Sequence, residues 1–165
     1  MNSLSAKSAL FCECISSVFI APDIAALEFD WPGLPPRAGQ FFLIKPRCSG
    51  VFLGRPISVA GWKQQAGEDG GVLRFLVALK GRGSRELADL MPGEEAELIG
   101  PLGNSWAKAG IPGNKPKGPL ALVGGGIGIA PLLALTRELG KNPFDFYAGF
   151  RSGSFGLKNI KPRPV

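Results

Sequence analysis

The sequence contains no histidine among its 165 residues. Because histidine is the commonest metal ligand and the usual general base near neutral pH, zinc chemistry and hydrolytic triads are not expected. The three cysteines, Cys12, Cys14 and Cys48, are an odd number and form no C-x-x-C pair. This chain alone therefore builds neither a disulfide framework nor a four-thiolate metal site, and a reducing cytoplasm is the predicted location.

Long hydrophobic runs are also missing. No stretch approaches the roughly 20 apolar residues that cross a bilayer, so a membrane partner is not expected. The apolar run that follows Lys7 is interrupted by Glu13, and no clean small-residue cleavage pattern follows it. We therefore predict a first β-strand in this region rather than a signal peptide.

The positive charge is concentrated at one end of the chain. The formal net charge is +6, but four cations, Arg151, Lys158, Lys161 and Arg163, lie in the last 15 residues, which contain no acid. Without these four, 15 basic and 13 acidic residues remain, a net charge of +2. No basic stripe with interleaved aromatic residues is present, so the sequence argues against nucleic-acid binding.

Short β-type runs dominate the first hundred residues. Turns rich in proline and glycine separate them, and six strands are predicted, at residues 10–20, 24–30, 40–46, 56–62, 72–80 and 95–99. Six such strands form a small closed or nearly closed barrel. One helix is predicted at residues 85–90, with Ser84 as its N-cap.

The pattern changes after residue 109. Residues 110–118 are rich in glycine, proline and lysine, which is typical of an interdomain linker. A strand at 119–123, a helix at 129–139 with Gly140 as a left-handed C-cap, and a strand at 144–150 then begin a parallel α/β layer. Because two strands are too few for such a layer, we expect an incomplete and weakly packed second domain at 119–165, with a basic tail from Ser152.

Two segments have the residue types of phosphate-binding loops. Arg55-Pro56-Ile57-Ser58 places a guanidinium and a hydroxyl on one extended segment, which suits a pyrophosphate at one end and a polar ring atom at the other. Gly81-Arg82-Gly83-Ser84 ends a strand and opens a helix, where free amides hold phosphate. The alternative for the first segment is a strand entry with an exposed arginine.

A further glycine-rich loop runs from Gly124 to Gly128, between a strand and a helix. It departs from the strict dinucleotide fingerprint, because Ile129 and Pro131 stand at the two candidate positions for its last glycine. The alternative is that the glycines only allow a strand and a helix to pack tightly. The usual ribose-binding acid is absent, and Arg151 could favour a 2′-phosphate, so NAD and NADP both stay open. The Arg55 and Gly81 segments together are the two halves of one candidate phosphate clamp, and the Gly124 loop is a second candidate site. Two separate sites indicate two nucleotides and electron transfer between them.

Five short motifs in this order resemble the ferredoxin reductase-type flavoprotein family. Isoleucine stands at position 57, where the wider family usually has an aromatic residue stacked on the flavin. The chain is for this reason more similar to the dihydroorotate dehydrogenase electron transfer subunits, the PyrK-like branch. The motifs are Gly39-Gln40-Phe41, Arg55-Pro56-Ile57-Ser58, Lys80-Gly81-Arg82-Gly83-Ser84, Gly100-Pro101-Leu102-Gly103-Asn104 and 124–131.

The resemblance implies a six-stranded, Greek-key, FAD-binding β-barrel at residues 1–109, followed by an incomplete α/β nucleotide-binding domain. Arg55 would contact the FAD pyrophosphate and Ser58 the isoalloxazine edge, and none of the implied residues is a catalytic acid or base. The implied FAD-binding residues are Arg55, Pro56, Ile57, Ser58, Leu76, Val77, Ala78, Gly81, Gly83 and Ser84. The residues implied to lie under NAD or NADP are Gly124, Gly125, Gly126, Ile127 and Gly128.

The implied function is electron transfer from NAD(P)H through FAD to a partner dehydrogenase of the dihydroorotate dehydrogenase type, in pyrimidine biosynthesis. The family carries a [2Fe-2S] centre on C-terminal cysteines, and we expect its ligands to be absent from this C-terminally truncated sequence. Cys12 and Cys14 are instead expected to be apolar residues of a strand. The alternatives are a free-standing NAD(P)H:ferredoxin or flavin reductase, and a truncated FAD-binding module without activity.

Overall fold

The computed structural model describes residues 8–65, 70–109, 120–158 and 160. Its first six strands are β1 Ser8–Ala21, β2 Ile24–Trp31, β3 Phe41–Pro46, β4 Arg55–Gln64, β5 Gly71–Ala78 and β6 Glu95–Leu102. They are antiparallel and form a closed barrel in the order β1-β2-β5-β4-β3-β6. The neighbours β2–β5 and β3–β6 are not consecutive in the chain, as in a Greek key. This confirms the predicted barrel.

Aromatic rings fill the barrel interior. Trp31 and Phe42 are fully buried and meet edge to face with ring centroids 4.9 Å apart. Phe75 continues the stack, 5.7 Å from Phe42 and 6.1 Å from Phe29. Edge-to-face contacts at these distances are favourable for aromatic quadrupoles. Because side chains occupy the interior, a large ligand has to bind on the outer surface or at one end of the barrel.

The helix between β5 and β6, α1 (Arg82–Ala88), begins earlier than predicted. Gly81, in an extended conformation, is the N-cap, so the prediction that Ser84 holds that position is wrong. Ser84 is the third helical residue, and its Oγ accepts hydrogen bonds from the amides of Lys80 at 2.8 Å and Gly81 at 3.0 Å. The side chain thus caps the helix from inside its first turn, as the return half of a capping box does.

The second region has the predicted strand, helix and strand. β7 (Ala121–Gly125) leads through a 3₁₀ turn, Gly126–Ile129, into α2 (Ala130–Leu139), and β8 (Asp145–Gly149) pairs with β7 in parallel. Gly140 caps α2 with the expected positive φ of 59°, but its ψ of −113° lies outside the left-handed helical region. The predicted linker at 110–118 falls outside the described residues.

Helix α2 is covered by the barrel, contrary to the expectation of weak packing beyond residue 118. Leu132, Leu135 and Leu139 belong to the same buried cluster as the barrel interior. Glu138 Oε1 accepts hydrogen bonds from the Ala38 amide at 2.7 Å and from Arg37 Nε at 3.3 Å. The outer face of the two-stranded sheet is open, since Val123 is 73% exposed and Tyr147 59% exposed.

The segment after β8 is packed, although its described residues form no helix or strand. Phe155 is 9% exposed and lies in a cluster with Ile24, Leu76 and Ala130. Its ring meets that of Phe150 edge to face at 4.9 Å. This part of the predicted tail is therefore anchored to both the barrel and α2. Among the described residues, no helix has the length and apolar character needed to cross a bilayer.

Candidate nucleotide-binding site

Strands β4 and β5 separate at one end of the barrel. Their cross-strand pairs run from Gln64–Gly71 to Val59–Phe75. Beyond that point, residues 55–58 pair with β3, and residues 76–78 pair with β2. Two strand edges with main-chain hydrogen-bonding groups therefore face a common gap, and such groups need a partner. All seven predicted FAD-binding residues of β4 and β5 border this gap.

Arg55, the first residue of β4, packs against the first turn of α1. A β-carbon placed on Gly83 would lie 2.4 Å from Arg55 Nε and 2.8 Å from Nη2, so only glycine permits this approach. The first amides of an α-helix have no carbonyl partner within the helix. A guanidinium beside such amides is a suitable site for an anion, and a diphosphate makes charge-assisted hydrogen bonds to both.

The remaining predicted residues of this site have different surroundings. Ile57 packs against the barrel interior, whereas Pro56 is exposed. Ser58 is half-buried and lies opposite Phe41 on β3. The Ser84 hydroxyl is already occupied, because it also donates to the Gly81 carbonyl at 2.9 Å. Ser84 is thus left with its amide as the candidate phosphate donor, which is the role that the resemblance implies.

A second arginine stands beside this site, and sequence reasoning gave it no role. Arg82 Nη2 would lie 2.7 Å from a β-carbon on Gly50, in the loop between β3 and β4. Its Nε donates to Glu86 Oε1 at 2.6 Å. The other carboxylate oxygen of Glu86 accepts a short hydrogen bond from Ser49 Oγ. The Ser49 hydroxyl, followed by the Arg82 and Arg55 guanidinium groups, lowers the pKa of Glu86.

A cavity of about 280 Å³ lies where the barrel meets the α/β region. Ala78, at the end of β5, lines it together with Gly126 and Ile127. Residues of the two predicted nucleotide sites therefore border one space, which is the arrangement that electron transfer between two bound nucleotides requires. The other lining residues are Asp23, Ile24, Lys80, Phe150, Arg151, Ser152 and Phe155.

The glycines at the end of β7 and in the turn that follows it divide into two groups. A β-carbon on Gly124 would lie 2.9 Å from Leu132 Cδ1, so this glycine allows the strand and helix to pack. A β-carbon added to Gly126 or Gly128 would meet no atom within 4 Å, and on Gly125 the nearest atom is 3.9 Å away. Tight packing therefore accounts for Gly124 alone. The other three present bare backbone to open space, which suits a closely approaching ligand.

Sequence reasoning missed several lining residues of this cavity. Lys80 belonged to a quoted motif but was given no role, and Asp23 has only the sequence signal of a turn. Phe155 had no usable signal, because it stands alone among glycine and serine residues. Arg151, the residue that could favour a 2′-phosphate, lies on the cavity wall after β8. Two cations, Lys80 and Arg151, and one acid, Asp23, therefore line this cavity, and the cations are suitable partners for a phosphate.

The cysteines do not fit an iron-sulfur cluster. Cys12 and Cys14 are buried in the barrel, and burial raises the pKa of Cys12 to about 12 and that of Cys14 to about 11. Cys48 is exposed, and all three thiols are free. Within the described ranges, no three cysteine or acidic side chains are grouped so as to hold a metal. The described cysteines are therefore not suited to bind an iron-sulfur cluster together.

Solved structures with this architecture include two reductases. An NADH-dependent reduced ferredoxin-NADP oxidoreductase aligns over 90% of this chain and 51% of its own, with a TM-score of 0.70 and 27% identity. Phthalate dioxygenase reductase aligns over 87% of this chain and 44% of its own, with a TM-score of 0.64 and 23% identity. The chain therefore has the ferredoxin reductase-type fold, which confirms the fold class predicted from the motifs.

Curated relatives narrow the assignment within that fold. The electron transfer subunit of dihydroorotate dehydrogenase B (NAD(+)) from Clostridium perfringens is 46% identical over 128 residues, which are 75% of this chain and 47% of the relative. The subunit of the same name from Caldanaerobacter subterraneus is 31% identical over 148 residues, 89% of this chain and 54% of the relative.

The chain is thus a homologue of the dihydroorotate dehydrogenase electron transfer subunits, as its motifs predicted. It spans about half the length of the curated relatives it matches. No family model matches it.

Proposed function

We propose that this chain is a flavoprotein oxidoreductase that binds FAD in the gap between β4 and β5 and passes electrons from NAD(P)H to a partner protein. The observation that carries the proposal is the joint position of that gap and of Arg55 against Gly83. An extended cofactor placed there would have polar main-chain edges along its ring system and a cation with helix amides at its diphosphate.

FAD supplies the redox chemistry when bound, and the protein residues bind and orient it. Arg55 and the amides of Gly83 and Ser84 would hold the diphosphate. Ile57 would provide an apolar surface under the ring system, and the Ser58 hydroxyl would donate to a ring heteroatom. Gly81 and the main chain of Leu76, Val77 and Ala78 complete the proposed contacts.

The nicotinamide nucleotide is proposed to bind at the second end of the same space. Its proposed contacts are with the backbone of Gly125, Gly126, Ile127 and Gly128. Gly124 would position this turn by packing on α2. Lys80 and Arg151 are suitable partners for its phosphates. The choice between NAD and NADP is left to the experiment, because Arg151 can pair with a 2′-phosphate but does not require one.

We also propose a partner protein and a cellular location for the chain. The partner would be the catalytic subunit of a dihydroorotate dehydrogenase, whose electron transfer subunits the chain resembles. In that setting the route serves pyrimidine biosynthesis, with iron-sulfur ligands supplied outside the residues of this chain. A cytoplasmic location is proposed because all three thiols are free. The proposed domains are 1–109 for FAD and 119–165 for the nicotinamide nucleotide, with 110–118 between them.

A direct test is to titrate the purified chain with FAD and to follow the quenching of flavin fluorescence and the visible absorption spectrum. We expect saturable binding of one FAD per chain. Adding NADH or NADPH under anaerobic conditions should then bleach the flavin absorption, and the faster donor identifies the nicotinamide nucleotide. A chain that is folded by circular dichroism but does not bind FAD would contradict the proposal.

Two alternatives give different results in the same assay. A free-standing NAD(P)H:ferredoxin or flavin reductase would reduce ferredoxin or free flavin in many turnovers without a dehydrogenase subunit. Both relatives described above are named as electron transfer subunits of dihydroorotate dehydrogenase B, which favours the subunit over this alternative. An inactive FAD-binding module would bind FAD but show no bleaching with either nicotinamide nucleotide. The cavity shared by Ala78 and Gly126 favours an active chain over that module.

A further inference from the structure

The loop between β3 and β4, residues 47–54, is fastened to helix α1 through one carboxylate. Glu86 Oε2 accepts a hydrogen bond from Ser49 Oγ, and Glu86 Oε1 accepts one from Arg82 Nε at 2.6 Å. Ser49 Oγ in turn accepts a hydrogen bond from the Val51 amide at 2.9 Å. The carboxylate therefore connects the loop to the helix through side-chain and main-chain groups at once.

Two further contacts show that this loop and helix form the two sides of the proposed diphosphate site. The Arg82 guanidinium lies against Gly50 of the loop, as Arg55 at the end of the loop lies against Gly83 of the helix. Arg82 of the helix thus contacts a glycine of the loop, and Arg55 at the end of the loop contacts a glycine of the helix. The distance between the loop and α1 consequently sets where the Arg55 guanidinium stands relative to the helix.

Charge alone would make Glu86 an unfavourable neighbour for a phosphate. It is a carboxylate next to Arg55 and Arg82, where it competes with an anionic ligand for the same cations. Its two carboxylate oxygens accept hydrogen bonds from Ser49 on the loop and from Arg82 on the helix, and its side chain is 27% exposed. This geometry is suited to holding the two sides in place.

We propose that Glu86 is a positioning residue, which with Ser49 clasps the β3–β4 loop to α1 and so fixes Arg55 for the diphosphate of FAD. The inference rests on the proposed function. It predicts that the clasp contributes to the affinity for FAD, although it adds a negative charge beside the site. It also predicts that the clasp has no effect on a flavin that lacks the diphosphate.

The test compares Glu86→Ala and Ser49→Ala with the unmodified chain in titrations with FAD and with riboflavin. We expect each variant to bind FAD about tenfold more weakly, the scale of one hydrogen bond to a charged group. Riboflavin affinity should not change. The double variant should be no weaker than Glu86→Ala alone, because both substitutions break the same contact. Ser49→Thr keeps the hydroxyl and should restore the affinity for FAD.

Asp89→Ala is the matched control for charge. Asp89 is exposed, follows α1 directly and lines the same surface groove as Glu86, so its removal deletes an equal charge without opening the clasp. Hydrogen exchange of the ligand-free chain gives an independent readout: residues 48–54 should exchange faster in Glu86→Ala and Ser49→Ala than in Asp89→Ala. A general loss of stability would instead raise exchange throughout the barrel and weaken riboflavin binding equally.

The outcomes separate the two proposals. If the unmodified chain binds FAD while Glu86→Ala and Ser49→Ala bind it as tightly or more tightly, the clasp is overturned and the proposed function stands. Equal weakening for FAD and riboflavin also overturns the clasp, because the effect would not depend on the diphosphate. If the unmodified chain does not bind FAD, the proposed function fails and the positioning role fails with it.

Discussion

The guanidinium of Arg55 lies directly over the α-carbon of Gly83, so that a β-carbon at position 83 would fall 2.4 Å from Arg55 Nε. The two residues come from different elements, the start of β4 and the first turn of α1. Their contact brings a fixed positive charge to main-chain donors. An anion placed between them would receive hydrogen bonds from both sides.

Gly83→Ala should displace this guanidinium without unfolding the protein. The methyl group meets the flexible end of a side chain rather than backbone, so the melting temperature should change little. Affinity for FAD should fall by about tenfold or more, since the charge-assisted contact is lost. Gly149→Ala is the matched control, because nothing lies within 4 Å of its added methyl group and Gly149 is not among the proposed FAD contacts. Equal FAD affinity in the two variants would contradict the proposed position of the diphosphate.

Arg55→Ala should weaken FAD binding by about 1.5–3 kcal/mol, the usual contribution of a hydrogen bond to a charged group. Fluorescence titration measures the change. Arg47→Ala is a suitable control, because Arg47 is an exposed arginine at the start of the loop that precedes β4. It pairs with Glu95, and its Cζ lies 4.8 Å from the Phe11 ring centroid. An unchanged affinity in Arg55→Ala would remove this residue from the site.

Gly124→Ala should lower the stability of the fold, whereas Gly128→Ala should lower the affinity for the nicotinamide nucleotide. The first places a methyl group 2.9 Å from Leu132 Cδ1 and 3.3 Å from Ile129 Cα, and we expect overpacking to cost about 1–3 kcal/mol of unfolding free energy. The second meets no atom within 4 Å, so its stability should be unchanged. Its affinity for NADH or NADPH should nevertheless fall. Denaturant unfolding and nicotinamide titration of both variants test this division.

Glu138→Ala should loosen α2 from the barrel. It leaves the buried Ala38 amide without its 2.7 Å acceptor, and we expect a loss of about 1–3 kcal/mol in the free energy of unfolding. Arg37→Ala removes only the exposed partner of the same carboxylate and should cost about 0–1 kcal/mol. Hydrogen exchange should rise in α2 and at residues 37–40 in the first variant only. Similar effects in both variants would show that the ion pair, not the amide, holds the helix.

The thiols should differ in reactivity. Iodoacetamide at pH 8 should modify the folded chain at Cys48, which is exposed, and spare the buried Cys12 and Cys14. Burial raises the pKa of Cys12 from 9.0 to about 12, so the folded state keeps its proton where the unfolded state loses it. The contribution of the protonated Cys12 thiol to the free energy of unfolding is therefore present below pH 9 and is lost as the pH rises toward 12. Mass spectrometry of the labelled chain, and denaturant unfolding at pH 8 and 10.5, measure the two effects.

Much of the barrel could be predicted because its signals are local. Alternating apolar residues and turn residues at close spacing placed all six strands, although β4 begins one residue earlier and β6 extends to Leu102. The start of α1 was mispredicted for a local reason as well. Serine is a common N-cap, but here the Ser84 side chain satisfies the Lys80 and Gly81 amides from within the helix. Propensity alone does not distinguish these two positions.

The candidate site, like the barrel, was predictable from the sequence only where its signals are local. The sequence by itself determined five short motifs in a fixed order, with isoleucine at position 57, and these were sufficient to predict the family of the chain. Tertiary structure decided which of them meet. It brought Arg55 against Gly83 and Ser49 against Glu86, and it buried Phe155 beside residues of the barrel. It also separated β4 from β5 at one end of the barrel. All of these relationships involve residues that are distant in the chain. Packing across strands and helices creates such contacts, and no local pattern of residues encodes them.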